Sequence, residues 1–288
     1  MGKFHDLMER DLRIRGYSPS TCKVYLHCVR DFVRFHMQPP DELSIEDIHT
    51  YQLHLTQDRQ VSYAFFNQTV CALRFFYHVS LKKDWDIRHI PYQRTGRKLP
   101  EILSPEEVSA IFRGVENIKH RAILMTVYGA GLRLQELIGL RLSDIDFHRM
   151  QIRIRQGKGR KDRHVMLAVR LEEILHRYIN IVKPKEWLFP GQRPAQPMHP
   201  RSVQMIFEKA KKAAGIQKKV SIHSLRHAFA THLLKRGVNI RLIQRLLGHK
   251  NLATTARYTH VARESLQEIQ SPLDHLAHVE TLEIDGER

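Results

Sequence analysis

The chain has 288 residues, of which 42% are hydrophobic and 27% charged, enough for one large or two modest domains and ordinary for a globular protein. Its formal charge of +17 is too large to be incidental and points to a polyanionic partner. The charge is uneven: from Glu264 to Arg288 seven acids face one arginine, a net of −6, which leaves +23 on the other 263 residues.

Residues 1 to about 80 read as helical. Met1 to Arg15 is charged and lacks the apolar core of a signal peptide. Ser18-Pro19 has the form of an N-cap followed by proline at the first helical position, and Val24, Cys28, Phe32 and Phe35 then recur at helical spacing. Cys22, Cys28 and Cys71 form no CxxC pair and read as reduced thiols, which suits the cytoplasm. Pro39-Pro40 stops that helix, and Ser44 with Asp47 predicts a capping box ahead of Ile48, Tyr51 and Leu55. Tyr63, Phe66, Val70, Leu73 and Tyr77 mark one more helix, its aromatics read as bundle core.

Residues 82–101 break the pattern. Arg88, Arg94, Arg97 and Lys98 fall in an acid-free stretch beside Pro91, Gly96 and Pro100, which reads as a basic extended linker open to phosphate contact. Ser104-Pro105-Glu106-Glu107 restarts helical structure with a second capping box, and helices are expected at 105–113, 119–129 and 133–140. The apolar run through Ala122–Met125 and Val127–Leu132 lies between Arg121 and Arg133 and is too short for a bilayer, so no membrane partner is expected. Met150, Ile152 and Ile154 alternate with polar residues as a strand does, Gly157-Lys158-Gly159 is a turn, and Arg163 to Leu167 is the return strand. Helices are expected again at 169–182, 201–214, 224–236, 240–247 and 262–270. Leu266, Ile269, Leu273 and Leu276 form an apolar stripe in the acidic tail.

Arg133, after Gly129-Ala-Gly131, is expected to start a helix whose positive end would help hold an anion, with Glu136 one turn on to orient it. Lys158 sits among Arg155, Arg160, Lys161 and Arg163 at a hairpin tip, either a nonspecific phosphate-binding loop or a mobile general acid. His223 and Arg226 share a helical face, while His227, four residues from His223, suggests a metal pair that has no glutamate beside it and an arginine that would repel a dication. His249 follows Gly248 at a helix end, and Tyr258 lies nine residues further on. Two arginines, two histidines, a lysine and a tyrosine, with no carboxylate among them, suit a phosphodiester attacked by an oxygen nucleophile without a metal.

Gly131-Leu-Arg133-x-x-Glu136, Gly157-Lys158-Gly159, His223-x-Leu-Arg226-His227, Leu247-Gly-His249 and Tyr258-Thr-His260 resemble, in order and spacing, the tyrosine site-specific recombinases, the family of the phage integrases. The likeness is strong over about 102–262. It implies a mainly α protein with a small β-sheet, arranged as a two-domain C-shaped DNA clamp: a helical core-binding domain over 1–81, a linker over 82–101, and a catalytic domain over 102–288 whose tail contacts a neighbouring protomer. It further implies that Tyr258 attacks the scissile phosphate to give a 3′-phosphotyrosyl bond and a 5′-hydroxyl. Arg133 and Arg226 would hold the non-bridging oxygens, Lys158 would protonate the leaving oxygen, His223 would take the tyrosine proton, and His249 would bond the phosphoryl group. Arg155, Arg160, Lys161, Arg163, Arg94, Arg97 and Lys98 would bind DNA. No cofactor or metal is implied. The implied partners are duplex DNA with paired half-sites and three further copies of the chain, in a tetramer that passes through a Holliday junction. A nicking and relaxing enzyme of the type IB topoisomerase kind, a non-catalytic DNA-binding relative and a metal-dependent nuclease remain as alternatives.

Overall fold

Helix-capping chemistry sets the element boundaries in the first part of the chain. In the computed structural model, which describes residues 2–94, 101–155, 162–249, 251 and 255, the chain divides into two compact units, Met1–Lys98 and Leu99–Arg288. The first contains α1 (Gly2–Ile14), α2 (Pro19–His36), α3 (Ile45–Gln57) and α4 (Tyr63–Phe75), with a π-helical turn over Phe76–Ser80. Ser18 Oγ accepts from the Thr21 amide at the start of α2, and Ser44 and Asp47 cap each other at the start of α3. Each such cap supplies about 1 kcal/mol by satisfying amides the helix cannot. The α2 helix packs on α1, α3 and α4. Cys28, Phe32, Ile48, Tyr51, Leu73 and Tyr77 are buried in this core, so most of the aromatics read as core are core. Tyr63 and Phe35 are the departures, exposed at 44% and 39%.

The stretch read as an open linker begins as part of this unit. Ile90 is buried, Arg74 donates to its carbonyl, Gln52 donates to the Pro91 carbonyl, and Asn67 Oδ1 accepts from the Gln93 amide at 3.0 Å. Residues 82–94 are therefore a strap across α3 and α4. The local composition is basic, and these bonds to distant side chains are invisible to a local reading.

The second unit contains α5 (Pro105–Arg113), α6 (Ile118–Ala130), α7 (Leu134–Ile138), β1 (Ile145–Asp146), β2 (Gln151–Ile154), β3 (Arg163–Met166), α8 (Val169–Val182), α9 (Pro200–Ala213), α10 (Ile222–Lys235) and α11 (Ile240–Leu247). The sheet is antiparallel in the order β1-β2-β3, with Ile145 opposite Ile152 and Ile152 opposite Val165. The two-residue β1 has too short a pattern to be seen in the sequence. Helix α6 is buried on nearly every side, through Ala122, Ile123, Leu124, Thr126, Val127 and Ala130, and it packs against α5, α8, α9, α10 and β3. Its apolar run is thus the centre of the unit. Among the described residues no helix is long and apolar enough to cross a membrane. The helix expected at 262–270 and the apolar stripe of the tail lie outside the described residues.

Candidate active site

Two helix ends and one strand meet around a single carboxylate. Helix α6 closes on Gly131 with φ +60°, and a Cβ there would lie 2.5 Å from a ring carbon of Phe229 on α10. Only glycine lets the chain turn so tightly under α10. Two residues on, Arg133 is the N-cap of α7. Helix α11 closes the same way on Gly248, φ +61°.

Arg226 projects inward from α10 and is 4% exposed. Its Nη1 donates to the Gly131 carbonyl at 2.5 Å and its Nη2 to the Leu247 carbonyl at 2.6 Å. Both carbonyls belong to C-terminal turns of helices, where a cation is favoured. Nη2 also lies 3.1 Å from His249 Nε2. A guanidinium can only donate, so Nε2 accepts, and the ring proton on Nδ1 is left to donate to Thr255 Oγ1 at 2.9 Å.

Glu136 gathers the arginines. Arg133 donates through Nη1 at 2.7 Å and through its backbone amide at 2.9 Å. Arg163 forms a two-pronged pair with the same carboxylate, both contacts 2.8 Å, and Arg226 Nη1 stands 3.6 Å away. Arg133 Nη2 reaches the Gly248 carbonyl at 3.2 Å. Burial would raise the Glu136 pKa, but the hydrogen bonds and charges of Arg163 and Arg133 outweigh it and hold the carboxyl at about 2. Three guanidinium groups around one carboxylate leave a net positive site for a dianionic or monoanionic oxygen cluster.

Because the folded-state pKa of Glu136 is depressed, its ionisation stabilises the fold above the ordinary carboxyl value of 4.5, and that contribution is lost as pH falls from 4.5 towards 2. The full contribution is on the order of 3 kcal/mol. A Glu136→Gln variant is expected to melt lower than the parent at pH 7 and to lose less Tm on acidification. Equal losses of Tm between pH 5 and pH 3 would refute the assignment.

His223, in the first turn of α10, lies at the surface beside these groups. Desolvation, then the positive charges of Arg226 and Arg133, push its pKa below the usual histidine value, against a smaller pull from Glu136. The shift favours the neutral ring, which can accept a proton, although His223 is exposed enough for water to screen part of it.

Arg133, His223, Arg226, His249 and Glu136 are thus brought together, and Glu136 pairs directly with Arg133. Two readings need correction. The α7 helix has only five residues, and the Arg133 amide at its start is committed to Glu136, so the helix end adds little to anion binding. Arg163, expected on DNA, turns inward: its side chain is 12% exposed and its three nitrogens bond Glu136 and the Leu246 carbonyl. A buried carboxylate requires a buried counter-ion, and that demand outcompetes a phosphate at the surface. Arg155 stays on the surface but is tied to Asp144 and Ser143, and Arg94 is exposed at the end of the strap. Tyr258, Lys158, Arg160, Lys161, Arg97 and Lys98 lie outside the described residues. Sequence reasoning missed Thr255 as the partner of His249, for which no sequence signal exists, and the inward role of Arg163.

A largely buried arginine cluster at the meeting of two helix ends and strand β3, within the mainly helical second unit, is suited to holding an anion. The sequence of residues 101–265 matches the phage integrase family, and residues 4–87 match the SAM-like N-terminal domain of phage integrases. The chain belongs to the phage integrase family of tyrosine site-specific recombinases, enzymes that cut and rejoin DNA. It is 44% identical to a putative integrase/recombinase of Sinorhizobium fredii over 93% of this chain and 88% of the relative. It is 33% identical to a tyrosine recombinase of Thermosipho africanus, over 86% and 91% of the two chains. The XerA recombinase structure superposes with a TM-score of 0.55 at 30% identity, covering 96% of this chain and 99% of that one. The post-cleavage complex of XerH recombinase on palindromic difH DNA shares the fold, with a TM-score of 0.73 at 22% identity over 88% and 80% of the chains.

Proposed function

We propose that this chain carries out site-specific recombination of duplex DNA by two successive metal-free transesterifications through Tyr258. The observation that carries the reading is the cluster in which Arg133 and Arg226 are preset around Glu136 with His223 and His249 beside them. A phosphodiester bound there would meet the positive charge and the remaining N–H groups of Arg133 and Arg226, whose guanidinium groups are held in place by Glu136 and the helix-end carbonyls as charge builds on the non-bridging oxygens. Neutral His223 accepts the phenol proton as Tyr258 attacks phosphorus. The bond to the 5′-oxygen breaks, Lys158 supplies the proton to that oxygen, and a 3′-phosphotyrosine remains. Attack by a 5′-hydroxyl from a partner duplex reverses the step, so the phosphodiester is restored without ATP and a Holliday junction forms. In this reading the protein works in the cytoplasm, as a tetramer on paired half-sites.

The test is trapping on a nicked suicide duplex whose cleaved fragment diffuses away. A covalent adduct that forms in EDTA, and whose labelled peptide contains Tyr258, is the expected result. An adduct at another residue, or cleavage that EDTA abolishes, would overturn the reading.

Half-site binding should also be steeply salt-dependent, because the basic body of the protein, +23 outside the acidic tail, displaces condensed counter-ions. Affinity is expected to fall on the order of 10³-fold between 50 and 200 mM salt. A nearly flat plot of log affinity against log salt would contradict extensive phosphate contact.

A further inference from the structure

Arg163 is the first residue of β3, and its guanidinium is committed to the site. Its Nη1 and Nη2 bond the two Glu136 oxygens at 2.8 Å, and its Nε donates to the Leu246 carbonyl at 2.8 Å. Gly248 packs against it: a Cβ at that position would meet Arg163 Nη1, Cδ and Cζ at 3.2 to 3.3 Å. One planar side chain thus touches Glu136, the last turn of α11 and the glycine that precedes His249.

We propose that Arg163 is a positioning residue for strand cleavage, which neutralises Glu136 so that Arg133 and Arg226 keep their charge for the scissile phosphate. Glu136 has a side chain 7% exposed and contacts all three arginines. Its negative charge must be matched inside the protein. Arg163 matches it with a parallel, two-bond pair, the strongest geometry available to a carboxylate. Without Arg163, Glu136 would draw on Arg133 and Arg226 as counter-ions, and the field at the phosphate would weaken. The Leu246 bond gives the same side chain a second effect, because it fixes the chain that presents His249. Since Arg163 pairs with Ile154 at the end of β2, it also ties that end of the β2–β3 pair to the arginine pair.

The inference rests on the transesterification reading above, and the experiment separates the two. Single-turnover cleavage of the suicide duplex is measured at saturating protein for the parent, Arg163→Met, Arg163→Lys, Glu136→Gln and the double variant Glu136→Gln/Arg163→Met. Half-site affinity and Tm are measured alongside. Arg163→Met is expected to bind the half-site within about threefold of the parent and to cleave about 10²-fold more slowly, as misplaced reacting groups do. Arg163→Lys, which keeps the charge but not the fork, should recover part of that loss. The decisive outcome is the double variant: removing the Glu136 charge should restore at least tenfold of the rate lost in Arg163→Met. A merely structural Arg163 would instead lower Tm, leave the saturated rate of the folded protein unchanged, and show no such recovery, and that result overturns the proposal. Should Arg163→Met fail to fold, Arg163→Lys carries the test, and a saturated rate equal to the parent's overturns it equally. A parent protein that forms no adduct would sink the transesterification reading itself, whereas a cleaving parent with unimpaired variants sinks only the role of Arg163.

Discussion

Tyr258→Phe should abolish strand cleavage and leave half-site binding within about twofold of the parent. The substitution removes one oxygen from a ring and changes neither charge nor volume appreciably, so the phosphate contacts of the protein are retained. The proposed nucleophile is lost outright, while the arginines are cationic and His249 is held between Arg226 and Thr255. A phenol has an unperturbed pKa of about 10, so under the proposed mechanism its attack would require nearby positive charge and proton removal by His223. Gel-shift and suicide-duplex assays on the same preparation check both halves of the expectation. Covalent adduct from the Phe variant, at any rate near that of the parent, would show that another residue attacks.

Lys158→Ala comes next in size, with an expected loss of about 10²–10⁴-fold in cleavage rate, the usual worth of a positioned proton donor. The last paired residues of the hairpin are Ile154 and Arg163. Arg163 is bonded to Glu136, so the connection that carries Lys158 springs from the edge of the arginine cluster. Lys158 is four residues from Ile154, which allows a reach of roughly 13 Å, and its own long side chain adds to that. The defect should be specific to the leaving group. A substrate with sulfur in place of the 5′-bridging oxygen needs almost no protonation on departure, and with it the Ala variant should cleave at close to the parent rate. If the sulfur substrate is cleaved as slowly by the variant as the ordinary one, Lys158 is not the acid.

The substitution at Arg163 is expected to behave differently from both. Its effect should pass through Glu136 and therefore depend on the charge of that residue, whereas the effects of Tyr258 and Lys158 should not. The contrast between a suppressible and two non-suppressible defects gives the site an internal hierarchy that kinetics can read.

Much of this molecule was legible in the sequence because the signals involved are local. Ser18-Pro19, Ser44 with Asp47 and Ser104-Pro105 with Glu107 start helices where expected, since a cap satisfies amides within its own first turn. The alternation over residues 150 to 154 placed a strand, and β2 buries Ile152 and Ile154 while exposing Gln151 and Arg153. Arg133, Glu136, His223, Arg226 and His249 were singled out from motif order, and the structure gathers them. What the sequence concealed is what depends on residues far apart in the chain. That residues 82–94 strap the first unit follows from Gln52, Asn67 and Arg74, whose bonds span sixteen or more residues. The inward turn of Arg163 left a faint trace: it shares the β3 face of buried Val165, two residues on, but its neighbours Arg160 and Lys161 made it read as one more surface cation. Only the tertiary structure brings Glu136 opposite it. A local pattern determines which face of a strand or helix turns inward, while the partner a buried charge finds there depends on how distant elements pack, because a charge removed from water must be matched by whatever group the fold sets beside it.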